Sequence, residues 1–248
     1  GVDSALLAAV ASEVLGERAV AVIARSPSLP RRELRLAEET ARQIGIRLIA
    51  VDTFELDNPD YAANRGDRCY FCKDELFTAL ERVAAETGIR WIAYGENLDD
   101  LGDYRPGRRA AAEHGIRAPL REAGLTKADV RQLARRLGIP VWDKPAFACL
   151  SSRFPVGTRI TAELLRQVEE AEDALWELGF RQFRVRHHGE IARIEVPKEE
   201  FGRLLEAAEE VSRRLKECGY RFVTMDLEGY RSGSLNPVVP LPVEQANP

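Results

Sequence analysis

Three cysteines stand where thiols could act together. Cys69 and Cys72 form a Cys-x-x-Cys pair in Arg68-Cys69-Tyr70-Phe71-Cys72-Lys73, a spacing that lets two thiolates meet one metal ion or cluster. The same pair could be a redox dithiol or half of a zinc site. A helix beginning near Cys72, with Arg68 and Lys73 alongside, would favour the thiolate form. Cys149 is followed by Leu150, Ser151, Ser152 and Arg153 in a stretch without clear periodicity, which suits a reactive thiol flanked by donors better than a core position. Three thiolates can hold a [4Fe–4S] cluster and leave one iron without a protein ligand, open to an extra sulfide. A structural zinc site on the same three residues, or two unrelated sites, stay open at this level. Cys218, at a helix end before Gly219, reads as a packing residue.

A second candidate lies at the start. Gly1, Val2, Asp3 and Ser4 run directly into a helical pattern. A glycine at a strand-to-helix turn lets backbone N–H groups approach phosphate oxygens, and the helix N-terminus adds a partial positive charge. Ser4 can add a hydroxyl donor. No Gly-Lys-Ser/Thr is present, so this is not a Walker A loop. Alone, the tetrapeptide equally fits an ordinary helix start capped by Asp3 or Ser4. It resembles the second half of Ser-Gly-Gly-Val-Asp-Ser, the pyrophosphate-binding loop of PP-loop ATPases, which cleave ATP to AMP and pyrophosphate. The sequence opens at Gly1 without an initiator methionine, and Met225 is its only methionine. The expectation is therefore that the first residues of the loop, and the strand before it, lie outside this sequence.

The elements that must position these residues follow from periodicity and punctuation. Residues 4–15 read as a helix stopped by Gly16, 19–24 as a buried strand, 30–44 as a helix stopped by Gly45, and 47–51 as a second strand. Residues 73–87 are expected to be helical, 91–94 a third strand, and 126–137 a helix whose Thr126 and Asp129 resemble a capping box. Strands alternating with helices imply an α/β fold with a doubly wound parallel sheet, and the resemblance of the first loop to PP-loop ATPases implies the PP-loop, adenine nucleotide alpha hydrolase-like kind. In such a sheet a ligand sits at the carboxyl ends of the strands. That places Arg25 and Ser26 toward the adenosine side, and Gly95 and Asn97 at the next such end. Asp99 and Asp100 follow, and could hold Mg²⁺ through waters between phosphates; each taken singly also fits a solvated acidic turn.

After about Thr158 the pattern changes to α-β-β-α-β: a helix over 161–178, strands over 182–187 and 191–196, a long helix over 197–218 and a strand over 220–226. The reading is a PP-loop domain over 1–157, a small C-terminal α+β domain over 158–230 serving substrate binding or oligomerisation, and a Pro-rich flexible tail over 231–248. On the 182–187 strand side chains alternate, so Arg184 and Arg186 share a face about 7 Å apart. Two arginines there suit a substrate phosphate or carboxylate, or else a solvated strand face. Arg153, beside Cys149, is the stronger candidate for substrate contact, with Ser152 next to it. His187 and His188 read as structural.

Composition narrows the classes. The chain has 248 residues, 45% hydrophobic, with a net charge of −4, which gives no support to nucleic-acid binding. Only five of its 36 basic residues are lysine. No apolar run approaches the roughly 18 residues of a membrane helix, and no signal peptide is seen. A soluble, cytoplasmic protein is expected, with cysteines serving metal or catalytic roles.

Taken in order, Gly1-Val2-Asp3-Ser4, Arg68-Cys69-Tyr70-Phe71-Cys72-Lys73, Gly95-Glu96-Asn97-Leu98-Asp99-Asp100, Asp103-Tyr104-Arg105-Pro106-Gly107, Pro119-Leu120, Asp143-Lys144-Pro145-Ala146, Cys149-Leu150-Ser151-Ser152-Arg153 and Arg184-Val185-Arg186 resemble the LarE-type sulfur transferases that make the nickel-pincer nucleotide cofactor. The resemblance implies a pyridinium 3,5-dicarboxylic acid mononucleotide as substrate, with ATP and Mg²⁺ as cofactors. One carboxylate would be adenylated with release of pyrophosphate, and sulfur would then displace AMP. It implies further that members with one cysteine at the position of Cys149 surrender its sulfur and keep dehydroalanine, whereas members with three cysteines, as here, use a [4Fe–4S] cluster on Cys69, Cys72 and Cys149. Related proteins suggest a homo-oligomer. Rival readings are another PP-loop adenylating enzyme, such as a tRNA thiolase or an NAD or GMP synthetase-like amide ligase, and a nucleotide- or metal-binding sensor without catalysis.

Overall fold

The computed structural model describes residues 1–102, 106–145 and 147–231. Asp103, Tyr104, Arg105 and Ala146 of the motifs above, and the expected tail from residue 232 onward, lie outside the described residues. The chain divides into two compact units, the first ending at Cys149 and the second beginning at Leu150.

In the first unit, helix α1 (Val2–Leu15) leads through a 3-10 turn to strand β1 (Val20–Arg25). Helix α2 (Arg31–Ile44) ends where Gly45 turns left-handed at φ 79°, a conformation that costs glycine nothing. Strand β2 (Arg47–Asp52) then pairs with β1 in parallel, with Val20 opposite Arg47 and Arg25 opposite Asp52. This mixed α/β architecture with parallel pairing is the expected class. Among the described residues the apolar stretch 91–94, expected as a strand, makes a single isolated parallel bridge, Ala93 with Arg117.

Among the described residues five further α-helices belong to the unit: α3 (Pro59–Ala63), α4 (Arg68–Thr87), α5 (Gly107–Glu113), α6 (Pro119–Glu122) and α7 (Lys127–Arg136). The short α3, α5 and α6 had no clear periodic signature. Helix α4 starts five residues before the expected place, because nothing from Arg68 to Lys73 interrupts a helix. Helix α7 begins with the expected capping box: Asp129 N–H donates to Thr126 Oγ1 at 3.2 Å, and Thr126 N–H to Asp129 Oδ2 at 3.0 Å. Its Val130 and Ala134 bury against Val2 and Leu6 of α1, with Leu120, Ile139 and Val141 closing the cluster. A second cluster packs Phe77 of α4 on Ala110 and Ala111 of α5.

The second unit holds α8 (Ala162–Glu177), the antiparallel pair β3 (Arg184–His188) and β4 (Ile191–Glu195), helices α9 (Phe201–Glu206) and α10 (Ala208–Glu217), and β5 (Phe222–Met225), which lies parallel to β4. The single long helix expected over 197–218 is instead a 3-10 turn followed by two helices, separated at Ala207. Leu175, Phe180, Val185, Ile194, Val196 and Leu215 form the core of this unit. Among the described residues no helix is long and apolar enough to cross a membrane.

Candidate active site

The loop Gly1–Ser4 opens α1, with Val2 already helical. Its position is set from across the fold by residues 95–97. A Cβ built on Gly95 would fall 2.7 Å from the amide nitrogen of Ser4 and 2.8 Å from the carbonyl carbon of Asp3. Both are backbone atoms that cannot step aside, so only glycine allows this approach. Asn97 Nδ2 donates to Asp3 Oδ1 at 2.9 Å, and Lys127 Nζ donates to Asp3 Oδ2 at 2.5 Å. Glu96, buried between them, ion-pairs with Arg121 at 2.5 Å and Arg108 at 3.1 Å.

The two acids after Asn97 are held by backbone. Asp100 Oδ2 accepts from Asn97 N–H at 3.1 Å, and Asp99 Oδ2 accepts from Lys127 N–H at the start of α7 at 2.8 Å. Asp99 N–H in turn donates to Asn97 Oδ1 at 3.0 Å. Arg25, expected toward adenosine, is clamped in a two-pronged ion pair with Asp52 on the neighbouring strand, both bonds at 2.9 Å. Ser26 donates to the buried carboxylate of Glu55, which also accepts from Ser28 Oγ at 3.0 Å. These serines and Glu55 follow the carboxyl ends of β1 and β2.

Of the thiols, Cys72 lies within electrostatic range of the Glu55 carboxylate that follows β2. Cys69 and Cys72 lie within the first two turns of α4, not ahead of it, and an i, i+3 pair shares one helix face. The Cys72 thiol is pushed up to about 12 by its burial and then by the charge of Cys149, with Glu55 and Cys69 adding to the effect and Lys73 opposing it. Two stretches nearly eighty residues apart in sequence thus bring their thiols into electrostatic range of one another, beside the Glu55 carboxylate. The thiols are not drawn together as ligands: among the described residues no three His, Cys, Asp or Glu side chains form a set ready to hold a metal ion. The donor types nevertheless fit a cluster that needs three thiolates, and the Asp99–Asp100 pair fits Mg²⁺, which takes one or two carboxylates besides phosphate oxygens.

In the second unit the arginines singled out from sequence are buried. Arg153 donates from Nε and Nη2 to the two carboxylate oxygens of Glu172, at 2.6 and 3.0 Å, and from Nη1 to Ser152 Oγ at 2.8 Å. Arg186 makes the same two-pronged bond to Glu195, at 3.0 and 2.9 Å, and donates to the Ser152 carbonyl at 2.7 Å. Arg184 donates to the Arg231 carbonyl at 3.0 Å and lies over the Tyr230 ring. A solvated strand face is thereby excluded, since all three guanidiniums are at least nine-tenths buried. His187 packs between Phe154 and Tyr220, and burial lowers its pKa.

No family model matches the chain. A protein of Synechocystis of uncharacterized function is 48% identical over 241 residues, 96% of this chain and 90% of its own length. The pyridinium-3,5-bisthiocarboxylic acid mononucleotide synthase of Lactiplantibacillus plantarum is 39% identical over 237 residues, 95% of this chain and 86% of its own. The chain belongs to the family of this synthase. An uncharacterized protein of Methanocaldococcus jannaschii is 29% identical over 234 residues, 94% of this chain and 88% of its own.

Within this synthase family fold, sequence reading missed the acids. Glu55, Glu96, Glu172 and Glu195 are the buried partners of the serines and arginines above, and none sits at a spacing that announces its partner. It also gave no role to Lys127, or to Lys144, which it quoted only within Asp143-Lys144-Pro145-Ala146. The only sequence signal for those two is the scarcity of lysine, five among 36 basic residues.

Proposed function

We infer that the chain is an ATP-dependent sulfur transferase that converts a carboxylate of a pyridinium dicarboxylate mononucleotide into a thiocarboxylate. What supports this reading is family membership, together with the Cys72 thiol lying within electrostatic range of Cys149, Cys69 and the Glu55 carboxylate that follows β2. Family membership supplies the substrate class, because the Lactiplantibacillus relative is named for the bisthiocarboxylic acid product.

The chemistry proceeds in two displacements. A substrate carboxylate oxygen attacks the α-phosphorus of ATP, the bond to the bridging oxygen breaks, and pyrophosphate leaves with the electron pair. Backbone N–H groups at the start of α1 stabilise the charge that builds on that leaving group. The carboxylate, a poor acyl donor, is now an acyl adenylate. A sulfide equivalent delivered at the thiol group adds to its acyl carbon, and AMP leaves with the electrons of the carbon–oxygen bond. Two rounds give the dithio product. Asp99 and Asp100 would hold Mg²⁺ through waters against the phosphates. A [4Fe–4S] cluster on Cys69, Cys72 and Cys149 would supply protein-bound sulfide when present. Arg153, Arg184 and Arg186, charged and ordered by Glu172, Glu195 and backbone carbonyls, form the proposed anchor for substrate phosphate or carboxylate.

Anaerobic purification with iron, sulfide and zinc analysis, combined with pyrophosphate release, tests the reading. Release should require the pyridinium substrate. Iron and sulfide should be lost in Cys69→Ala, Cys72→Ala and Cys149→Ala but kept in Cys218→Ala. Release with no dependence on any carboxylate, or iron retained in all three variants, would overturn it.

A further inference from the structure

Two ion pairs converge on the phosphate loop. Gly1 is within reach of the charges of Lys144, Glu33, Asp3 and Lys127. Lys127 Nζ rests on Asp3 at 2.5 Å, and Lys144 Nζ rests on Glu33 of α2. All four side chains are mostly buried. Two of the chain's five lysines are therefore spent on this one loop.

Lys127 is not placed to suit its own helix. Lys127 is the first residue of α7, where the helix dipole disfavours a cation and acids are the usual choice. Lys144 has its backbone fixed by α7 as well, since Arg131, four residues beyond Lys127, donates from Nη2 to the Lys144 carbonyl at 3.1 Å. One helix thus holds the main chain of Lys144 and carries Lys127, whose ammonium stands at a loop whose amides favour anions.

We propose that Lys127 and Lys144 are polyphosphate-binding residues, held by Asp3 and Glu33 until the nucleotide enters and then turning onto the oxygens of the departing pyrophosphate. The inference rests on the reading of the loop as an ATP site. The resting pairs keep two largely buried ammonium groups from standing uncompensated. Lysine suits such an exchange because its compact charge on a flexible stem can swing between acceptors, whereas arginine's rigid fork stays with a two-pronged carboxylate. The contrast lies within the molecule: Arg25, Arg153 and Arg186 are each locked in that two-pronged way.

Calorimetric titration of the full-length protein with ATP, pyrophosphate and AMP separates this role from a structural one. Lys127→Met and Lys144→Met should each weaken ATP and pyrophosphate binding by about tenfold or more, the worth of a charged hydrogen bond, and leave AMP within about twofold. Lys144→Arg should restore part of the loss, and Lys198→Met should change nothing. Glu33→Gln, which releases Lys144, should bind pyrophosphate at least as tightly as the parent, and provides the test if a lysine variant fails to fold. Equal weakening of all three ligands, unchanged ATP binding in both methionine variants, or weaker pyrophosphate binding in Glu33→Gln would each overturn the inference. A parent protein that binds neither ATP nor pyrophosphate would overturn the reading of the loop along with it.

Discussion

Replacing Glu172 by glutamine tests the buried charge arrangement of the second unit most directly. Arg153 and Glu172 are each only 1% exposed, and the carboxylate meets the guanidinium through both oxygens. Glu172 Oε1 also accepts the N–H of Val185 at 3.1 Å. Glutamine keeps the size and can keep the bond to Val185, so what it removes is the charge, and Arg153 is left buried without its counter-ion. Losing one partner of a buried pair costs about 3–5 kcal/mol. For a unit of roughly a hundred residues each kcal/mol moves the melting point by about 4–8 °C, so the unfolding of this unit should fall by about 12 °C or more. Scanning calorimetry of the parent and of Glu172→Gln measures it. The double variant Arg153→Met with Glu172→Leu removes both charges together and should lose far less, principally the roughly 1–3 kcal/mol of an unpaired Val185 N–H. A drop below about 1 kcal/mol for Glu172→Gln, or a double variant as unstable as the single, would refute the argument that charge pairing holds this site. A double variant that folds but transfers no sulfur would favour the proposed role of Arg153 in holding substrate.

Two further outcomes follow from the first unit. Gly95→Ala must push a Cβ into the backbone of Asp3 and Ser4; it should cost about 1–3 kcal/mol of stability and reduce pyrophosphate release at least tenfold, and a variant with parental turnover would show that the close approach is not needed. His114 bonds Asp74 through Nε2 at 3.0 Å and Glu81 through Nδ1 at 2.8 Å, and these two carboxylates raise its pKa, Asp74 most. A raised native pKa means that its stabilising contribution is complete below the ordinary value near 6.5 and fades as pH climbs through the native value; an NMR titration that finds His114 at or below 6.5 would contradict the geometry.

Local signals carried the reading of the sequence a long way. Glycine stops at Gly16 and Gly45, and the Thr126 capping box, act within a few residues and mark α1, α2 and α7. What failed was non-local. Whether residues 91–94 become a ladder strand depends on neighbours, and only Ala93 finds one, in Arg117. Nothing in the composition around Ala207 marks the break between α9 and α10. The chemistry divides the same way. Cys69, Cys72, Cys149, Arg153 and Arg186 could be singled out by type and spacing, because thiols and guanidiniums have few uses at such spacings. Their partners were not: Glu172 lies 19 positions from Arg153, Glu195 lies 9 from Arg186, and Lys127 lies 124 from Asp3. Such pairings exist only once the chain has closed on itself.

The tripeptide Gly95-Glu96-Asn97 does something that the loop at Gly1 cannot do for itself. Three neighbouring residues reach three different places: the main chain of Asp3 and Ser4, the paired guanidiniums of Arg108 and Arg121, and the Asp3 carboxylate. The tetrapeptide is therefore a shape on loan from distant sequence. An engineer who transplanted Gly-Val-Asp-Ser alone into a different scaffold would carry over the letters and leave the mould behind.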